Sequence, residues 1–174
     1  MDVIFLDFDG VINNWNHFDG VDPKNVLILK RIIEITGAKI VATTSNKYKF
    51  QNRNINMTET SYYNYILKLS ELGISIYDVT PFVEKDKEKE ILAYLKEHKE
   101  IRNFVIIDDE HVSNILKDHE VILENYDGLL EEHIIPIISI LRGNLGIYPK
   151  NFDTNESFEQ RWIKINALKQ KRKV

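Results

Sequence analysis

The chain has 174 residues, 43% of them hydrophobic and 29% charged, with a formal net charge of −4. That length fits one soluble globular domain with a small appendage, able to bury roughly 70% of its unfolded surface. The acidic balance argues against a protein that coats nucleic acid non-specifically, and the lack of cysteine excludes disulfides, thiolate zinc sites and cysteine nucleophiles.

In chain order, residues 3–7 (VIFLD) are apolar up to Asp7, the pattern of a strand covered on both faces. Asp9 follows two positions later. In extended chain such a spacing points both carboxylates the same way. Gly10 lets the backbone turn sharply away. A helix is predicted from the N-cap Asp22 and Pro23, with Val26, Leu29 and Ile33 on one face and Gly37 as its stop. Residues 39–43 (KIVAT) read as a second buried strand, ending in Thr43, Thr44 and Ser45. A polar stretch, 46–61, precedes a predicted helix at 62–72 that ends at Gly73. A third strand is predicted at 74–79, a charged helix from Asp86 to His98, and a fourth strand at 104–107 running into Asp108 and Asp109. A short strand at 121–123 and a helix at 129–141 complete the core. No apolar run approaches the ~20 residues of a membrane helix, and the first residues carry no basic leader, so a cytoplasmic protein without membrane partners is expected.

Strands alternating with helices predict a parallel sheet with helices on both faces, and in such sheets ligands bind at the carboxyl ends of the strands. That rule draws Asp7, Asp9, Thr43, Thr44, Asp108 and Asp109 into one crevice. Gathered carboxylates repel one another unless a hard cation sits among them, and an oxygen-only donor set suits Mg2+. Mg2+ often completes its shell with phosphate oxygens, so a phosphorylated substrate is expected. One aspartate can attack phosphorus while the other moves protons. A threonine hydroxyl can hold phosphoryl oxygens, and a lysine can offset charge developing on the transferring group.

The motif "DFDGVIN" resembles the first motif of the haloacid dehalogenase (HAD) superfamily phosphatases, DxDG followed by Val or Thr. "KIVATTS" resembles the second, "EKDKEKEIL" offers candidates for the third, and "FVIIDDE" resembles the fourth. All four stand in order over about residues 1–141. "GVINN", "TGAKIVATTSNK", "IIDDEH" and "YDGLLEEHI" further resemble a compact group linked to RNA repair, which includes polynucleotide phosphatases. Asn46 and Lys47 stand where that group usually has Trp-Arg.

The resemblance implies an α/β, HAD-like Rossmannoid three-layer fold with a central parallel sheet and a minimal or absent cap. It implies a Mg2+-dependent phosphomonoester hydrolase working through an aspartyl-phosphate, with polynucleotide or nucleotide phosphates as the expected substrates. The alternatives are a small-metabolite phosphatase or a non-catalytic scaffold for Mg2+ and phosphate. Asp7 is implied as nucleophile and metal ligand, and Asp9 as general acid/base with its backbone carbonyl on the metal. Thr43, with Thr44 as the near alternative, would bind phosphate beside Gly10. Asp109, with Asp108 beside it, would complete the metal site. Lys87 is the favoured lysine, with Lys85 and Lys89 as rivals. His111 reads as a surface or capping residue.

The stretches between Asp9 and Thr43 and between Thr43 and Lys87 are filled by predicted elements, leaving no room for a folded cap. The site is therefore expected to be open or covered by the loops at 11–21 and 46–61, where Lys47, Tyr48, Lys49, Phe50 and Arg53 suit phosphate contact and base stacking. The core is placed at 1–142. An extension at 143–174 is expected to carry an amphipathic helix bearing Phe158, Trp162, Ile165 and Leu168.

Overall fold

A computed structural model describes residues 1–14, 20–47, 61–124 and 127–145 of the chain. Five strands, β1 (Asp2–Leu6), β2 (Lys39–Ala42), β3 (Asp78–Val79), β4 (Asn103–Asp108) and β5 (Glu120–Ile122), form one sheet. Their order is β3-β2-β1-β4-β5 and every pairing is parallel. The helices are α1 (Pro23–Thr36), α2 (Ser61–Glu71), α3 (Lys87–Glu97) and α4 (Ile134–Leu141). This is the α/β architecture expected from the alternating pattern.

The continuous apolar run of β1 is explained by burial on both faces. Ile4 and Leu6 enter one core with Leu29, Ile32, Leu69 and Ile137, while Val3 and Phe5 enter the other with Ile91, Tyr94 and Ile106. Alternate side chains of a strand point to opposite faces, so each residue of β1 serves one layer or the other. The central strands β1 and β4 are therefore held by the sheet ladder and by two cores together. The ladder runs past their formal ends: the Asp7 amide donates to the Ile107 carbonyl at 3.0 Å, and the Thr43 amide to the Leu6 carbonyl at 2.9 Å. The polar residues that follow start from a rigid base.

The helix signals act as predicted on α1. The Asp22 carboxylate accepts from the Lys24 amide at 2.8 Å, and Gly37 closes the helix with φ +67°. Two elements are shorter than predicted. Of the strand placed at 74–79, Asp78 and Val79 alone form β3, because the Ile74 amide turns back to the Leu69 carbonyl at 2.9 Å and ties the chain to the end of α2. The helix placed at 129–141 begins as a 3-10 turn at Glu131–His133, where His133 Nδ1 accepts from the Leu130 amide at 2.9 Å, and α4 proper starts at Ile134.

The "VINN" segment after Asp9 is not a surface flap over the site. Val11 and Ile12 are fully buried, and Asn13 and Asn14 nearly so. Asn14 donates to Asp22 at 2.6 Å and to Asn25 at 3.1 Å, while Asn25 donates to the carbonyls of Asp127 and Leu129. The Leu129 amide returns to the Val11 carbonyl at 2.9 Å. These bonds bolt the turn after β1 to α1 and to the "DGLL" turn, satisfying buried polar groups that would otherwise be costly. Residues 15–19, most of 46–61 and nearly all of the 143–174 extension, including Phe158, Trp162, Ile165 and Leu168, lie outside the described residues.

Gly128 sits at the closest point of this junction, with φ +68° and space for a Cβ only 2.8 Å from Asn25 Oδ1 and 2.9 Å from the Asn13 carbonyl. Gly128→Ala should lower the unfolding free energy by about 1–3 kcal/mol through backbone strain alone, with the steric clash adding to it. Urea unfolding checks this, and a midpoint at or above that of wild type would contradict the packing described.

Candidate active site

Three carboxylates meet at the carboxyl ends of the two central strands. Oxygens of Asp7, Asp108 and Asp109 all lie within 4.8 Å of one another. Asp7 and Asp108 are 6% and 1% exposed. The ammonium of Lys87, in the first turn of α3, lies 2.7 Å from Asp108 Oδ2 and 3.3 Å from Asp7 Oδ2. Of the three candidate lysines, Lys87 is the one brought to the aspartates. Lys89 pairs with Glu84 on the surface, and Lys85 is exposed. The Asp86 carboxylate caps α3 by accepting from the Lys89 amide at 3.1 Å, which fixes the helix start and so which lysine faces inward.

The electrostatics follow from this crowding. Burial pushes the Asp7 carboxyl up to about 6, with Asp108 adding to the rise and Lys87 opposing it. Burial and the charges of Asp108 and Asp7 push Asp109 up to about 8. Burial alone would pull the Lys87 ammonium down, but Asp7 and Asp108 outweigh it and hold it well above the ordinary lysine range. Three carboxylates against the ammonium of Lys87 leave an excess of negative charge that a hard cation would relieve, and the donor set is all oxygen. The residues present therefore fit Mg2+.

Thr43 and Thr44 end β2 beside these groups, both 1% exposed. Their hydroxyls differ. Thr44 Oγ1 accepts two long bonds from Asn46, each at 3.4 Å, and its carbonyl accepts from the Lys47 amide. Thr43 Oγ1 is buried with no hydrogen-bond partner among the described residues. A buried hydroxyl left so is costly, and a phosphoryl oxygen would satisfy it. Gly10 makes its turn at φ +76°.

The Asp9 carboxylate is not one of the three clustered carboxylates. It is held by Asn13 at 3.0 Å, by Asn46 at 2.9 Å and by the hydroxyl of Tyr65. Sequence reasoning singled out none of these as partners of Asp9, although it marked Asn46 as unusual. Lys47 corrects a second expectation. It does not offer its charge to a phosphate from a loop, because it is fully buried and pairs with Glu90 of α3 and the Thr80 hydroxyl. Burial lowers its ammonium, with Glu90 opposing. The pair ties the turn after β2 to the helix that carries Lys87. His111 is bonded to Glu120 at 2.7 Å and Asn114 at 3.1 Å, a bracing role in the loop after β4.

The chain belongs to the family described as the HAD domain in Swiss Army Knife RNA repair proteins, whose model matches residues 3–134. That membership makes it a domain of HAD hydrolase type, and members of that superfamily generally use Mg2+. Comparison with curated proteins and with solved structures finds no match. No helix among the described residues is long and apolar enough to cross a membrane.

Two outcomes follow. Lys47→Met removes the Lys47 ammonium from beside the buried Glu90 carboxylate and should cost about 3–5 kcal/mol in urea unfolding, whereas the paired change Lys47→Met with Glu90→Leu should recover much of that loss. Equal losses in both variants would contradict the pairing. The second concerns pH in metal-free protein. The folded-state value of Asp109 lies above its ordinary 3.8, so the folded form holds its proton more tightly and ionisation destabilises it. The stability of wild type relative to Asp109→Asn should fall as pH rises from 3.8 towards about 8. A difference that is flat or rises over that window would contradict the crowding.

Proposed function

We propose that the protein is a Mg2+-dependent phosphomonoesterase that works through an aspartyl-phosphate on Asp7. The observation that carries this reading is the convergence of Asp7, Lys87, Asp108 and Asp109 beside the Thr43 hydroxyl, which is buried without a partner among the described residues. Mg2+ would be held by Asp7, Asp108 and Asp109 with the Asp9 carbonyl, and would supply positive charge against the substrate phosphate.

The chain's own groups carry the steps. A carboxylate oxygen of Asp7 attacks phosphorus as the bond to the leaving oxygen breaks, and Asp9 gives that oxygen a proton. Asp9 then takes a proton from water, the water oxygen attacks phosphorus, and the bond to Asp7 breaks, restoring both aspartates. Lys87 orients Asp7 and offsets charge on the transferring group, and Thr43 donates to a phosphoryl oxygen. The Lys87 ammonium, itself anchored on Asp108, holds the nucleophile in one place, so little reorganisation is needed when substrate arrives.

The substrate class proposed is the phosphorylated end of a polynucleotide, on the strength of the RNA-repair description of the family. With Mg2+ present, wild type should hydrolyse p-nitrophenyl phosphate, and Asp7→Asn should lose at least about a thousandfold in kcat, the scale at which a removed nucleophile is felt. Among natural substrates, 3′- or 5′-phosphorylated oligonucleotides should turn over faster than sugar phosphates. Faster turnover of sugar phosphates than of every oligonucleotide would refute the substrate class. Full activity in Asp7→Asn would refute the mechanism.

A further inference from the structure

Asp9 is anchored by a closed ring of hydrogen bonds whose orientation can be read without ambiguity. The Gly10 amide must donate, and it donates to Asn13 Oδ1 at 2.7 Å. That fixes the Asn13 amide, so its Nδ2 points at Asp9 Oδ1, at 3.0 Å, and at the Tyr65 hydroxyl, at 2.7 Å. With Asn13 donating to its oxygen, the Tyr65 hydroxyl directs its own proton onto Asp9 Oδ1. The phenol ring cannot drift, because Tyr65 is 5% exposed and its ring packs on Phe8 with centroids 5.2 Å apart. Phe8 lies between the two aspartates in sequence, so Asp7, Asp9 and Tyr65 share one support. On the other side, and among the described residues, Asp9 Oδ2 meets the side-chain amide of Asn46, in an exposed contact at 2.9 Å.

We propose that Tyr65 is a positioning residue for Asp9, one that fixes Oδ1 as the anchored oxygen and leaves Oδ2 to exchange Asn46 for the substrate's leaving oxygen. The proposal rests on the proton-transfer role given to Asp9 above. Without the Tyr65 hydroxyl, Asp9 swings about its side-chain bonds and the leaving oxygen loses its aligned proton donor. The loss therefore depends on how much the leaving group needs that proton. p-Nitrophenolate leaves readily without one, whereas an alkoxide does not. A tyrosine that merely filled the core would make no such distinction.

The test measures kcat and KM of the full chain, with Mg2+, on p-nitrophenyl phosphate and on an alkyl phosphate. Tyr65→Phe keeps the ring on Phe8 and removes the hydroxyl. It should lose roughly tenfold or more in kcat on the alkyl phosphate relative to its loss on p-nitrophenyl phosphate, with the KM values little changed. Asn13→Ala, which frees the hydroxyl to turn away, should show the same selective loss. Urea unfolding of Tyr65→Phe, Asp9→Asn and the double variant adds a readout independent of turnover, and the cost of Tyr65→Phe should shrink when Asp9 is already changed. Equal losses on both substrates, or strictly additive unfolding effects, overturn the proposal while leaving the phosphatase reading intact. A wild type inactive on both substrates overturns that reading and the role of Tyr65 with it.

Discussion

The molecule is organised around three carboxylates that repel one another at the end of its most buried strands. Asp7, Asp108 and Asp109 lie within 4.8 Å of one another, and Lys87 is the ammonium set against Asp7 and Asp108. Left to itself such a cluster would push its strands apart or take up protons. Asp109, pushed up to about 8, shows the second tendency. What prevents the first is the frame: β1 and β4 are paired over five residues from Asp2 to Leu6 and packed by separate cores on both faces. The hydrophobic effect supplies the free energy that holds the charges in place.

The frame has polar joints as well as apolar layers, and each joint brings one site segment into register with another. Lys47 and Glu90 connect the turn after β2 to α3, so that Thr43 and Lys87 are set relative to each other by a buried ion pair. Asn14, Asp22 and Asn25 connect the turn after Asp9 to α1 and to Gly128. Buried pairs of this kind are seldom a net source of stability when compared with apolar replacements. Their value here is geometric, because a buried charge has only one satisfactory place to be. The left-handed backbone at Glu84 and Lys85, with φ +55° and +57°, is consistent with that emphasis on placement: it carries the chain into the Asp86 cap from which Lys87 reaches the aspartates.

Much of this was legible in the sequence because it is local. Apolar runs that end in Asp7, Thr43 and Asp108 mark buried parallel strands and the polar ends that the fold brings together, and the Asp22, Pro23 and Gly37 signals bound α1 correctly. Lys87 was harder to separate from Lys85 and Lys89, since all three alternate with acids; the helix start at Asp86 decides between them, and boundaries are the weakest part of a pattern. The partners of Asp9 and Lys47 were not legible. Tyr65 lies 56 residues from Asp9, and Glu90 lies 43 from Lys47. In helical periodicity Tyr65 is simply a core aromatic of α2, and nothing local records that its hydroxyl has a charged partner. Asn13 and Asn14 read as turn residues for the same reason, although they are buried connectors. β3 was drawn too long because Ile74 and Ile76 look like strand residues, whereas Ile74 closes the end of α2 and Ile76 packs on the core outside the ladder.

The central claim is that Asp7 becomes covalently phosphorylated. The most direct measurement is an acid quench during turnover, borohydride reduction, and mass spectrometry of the peptide containing residue 7. An acyl phosphate at Asp7 is reduced to homoserine, so the account predicts homoserine at that position in wild type and none in Asp7→Asn. Sustained turnover with unmodified Asp7 under conditions that trap acyl phosphates would contradict it.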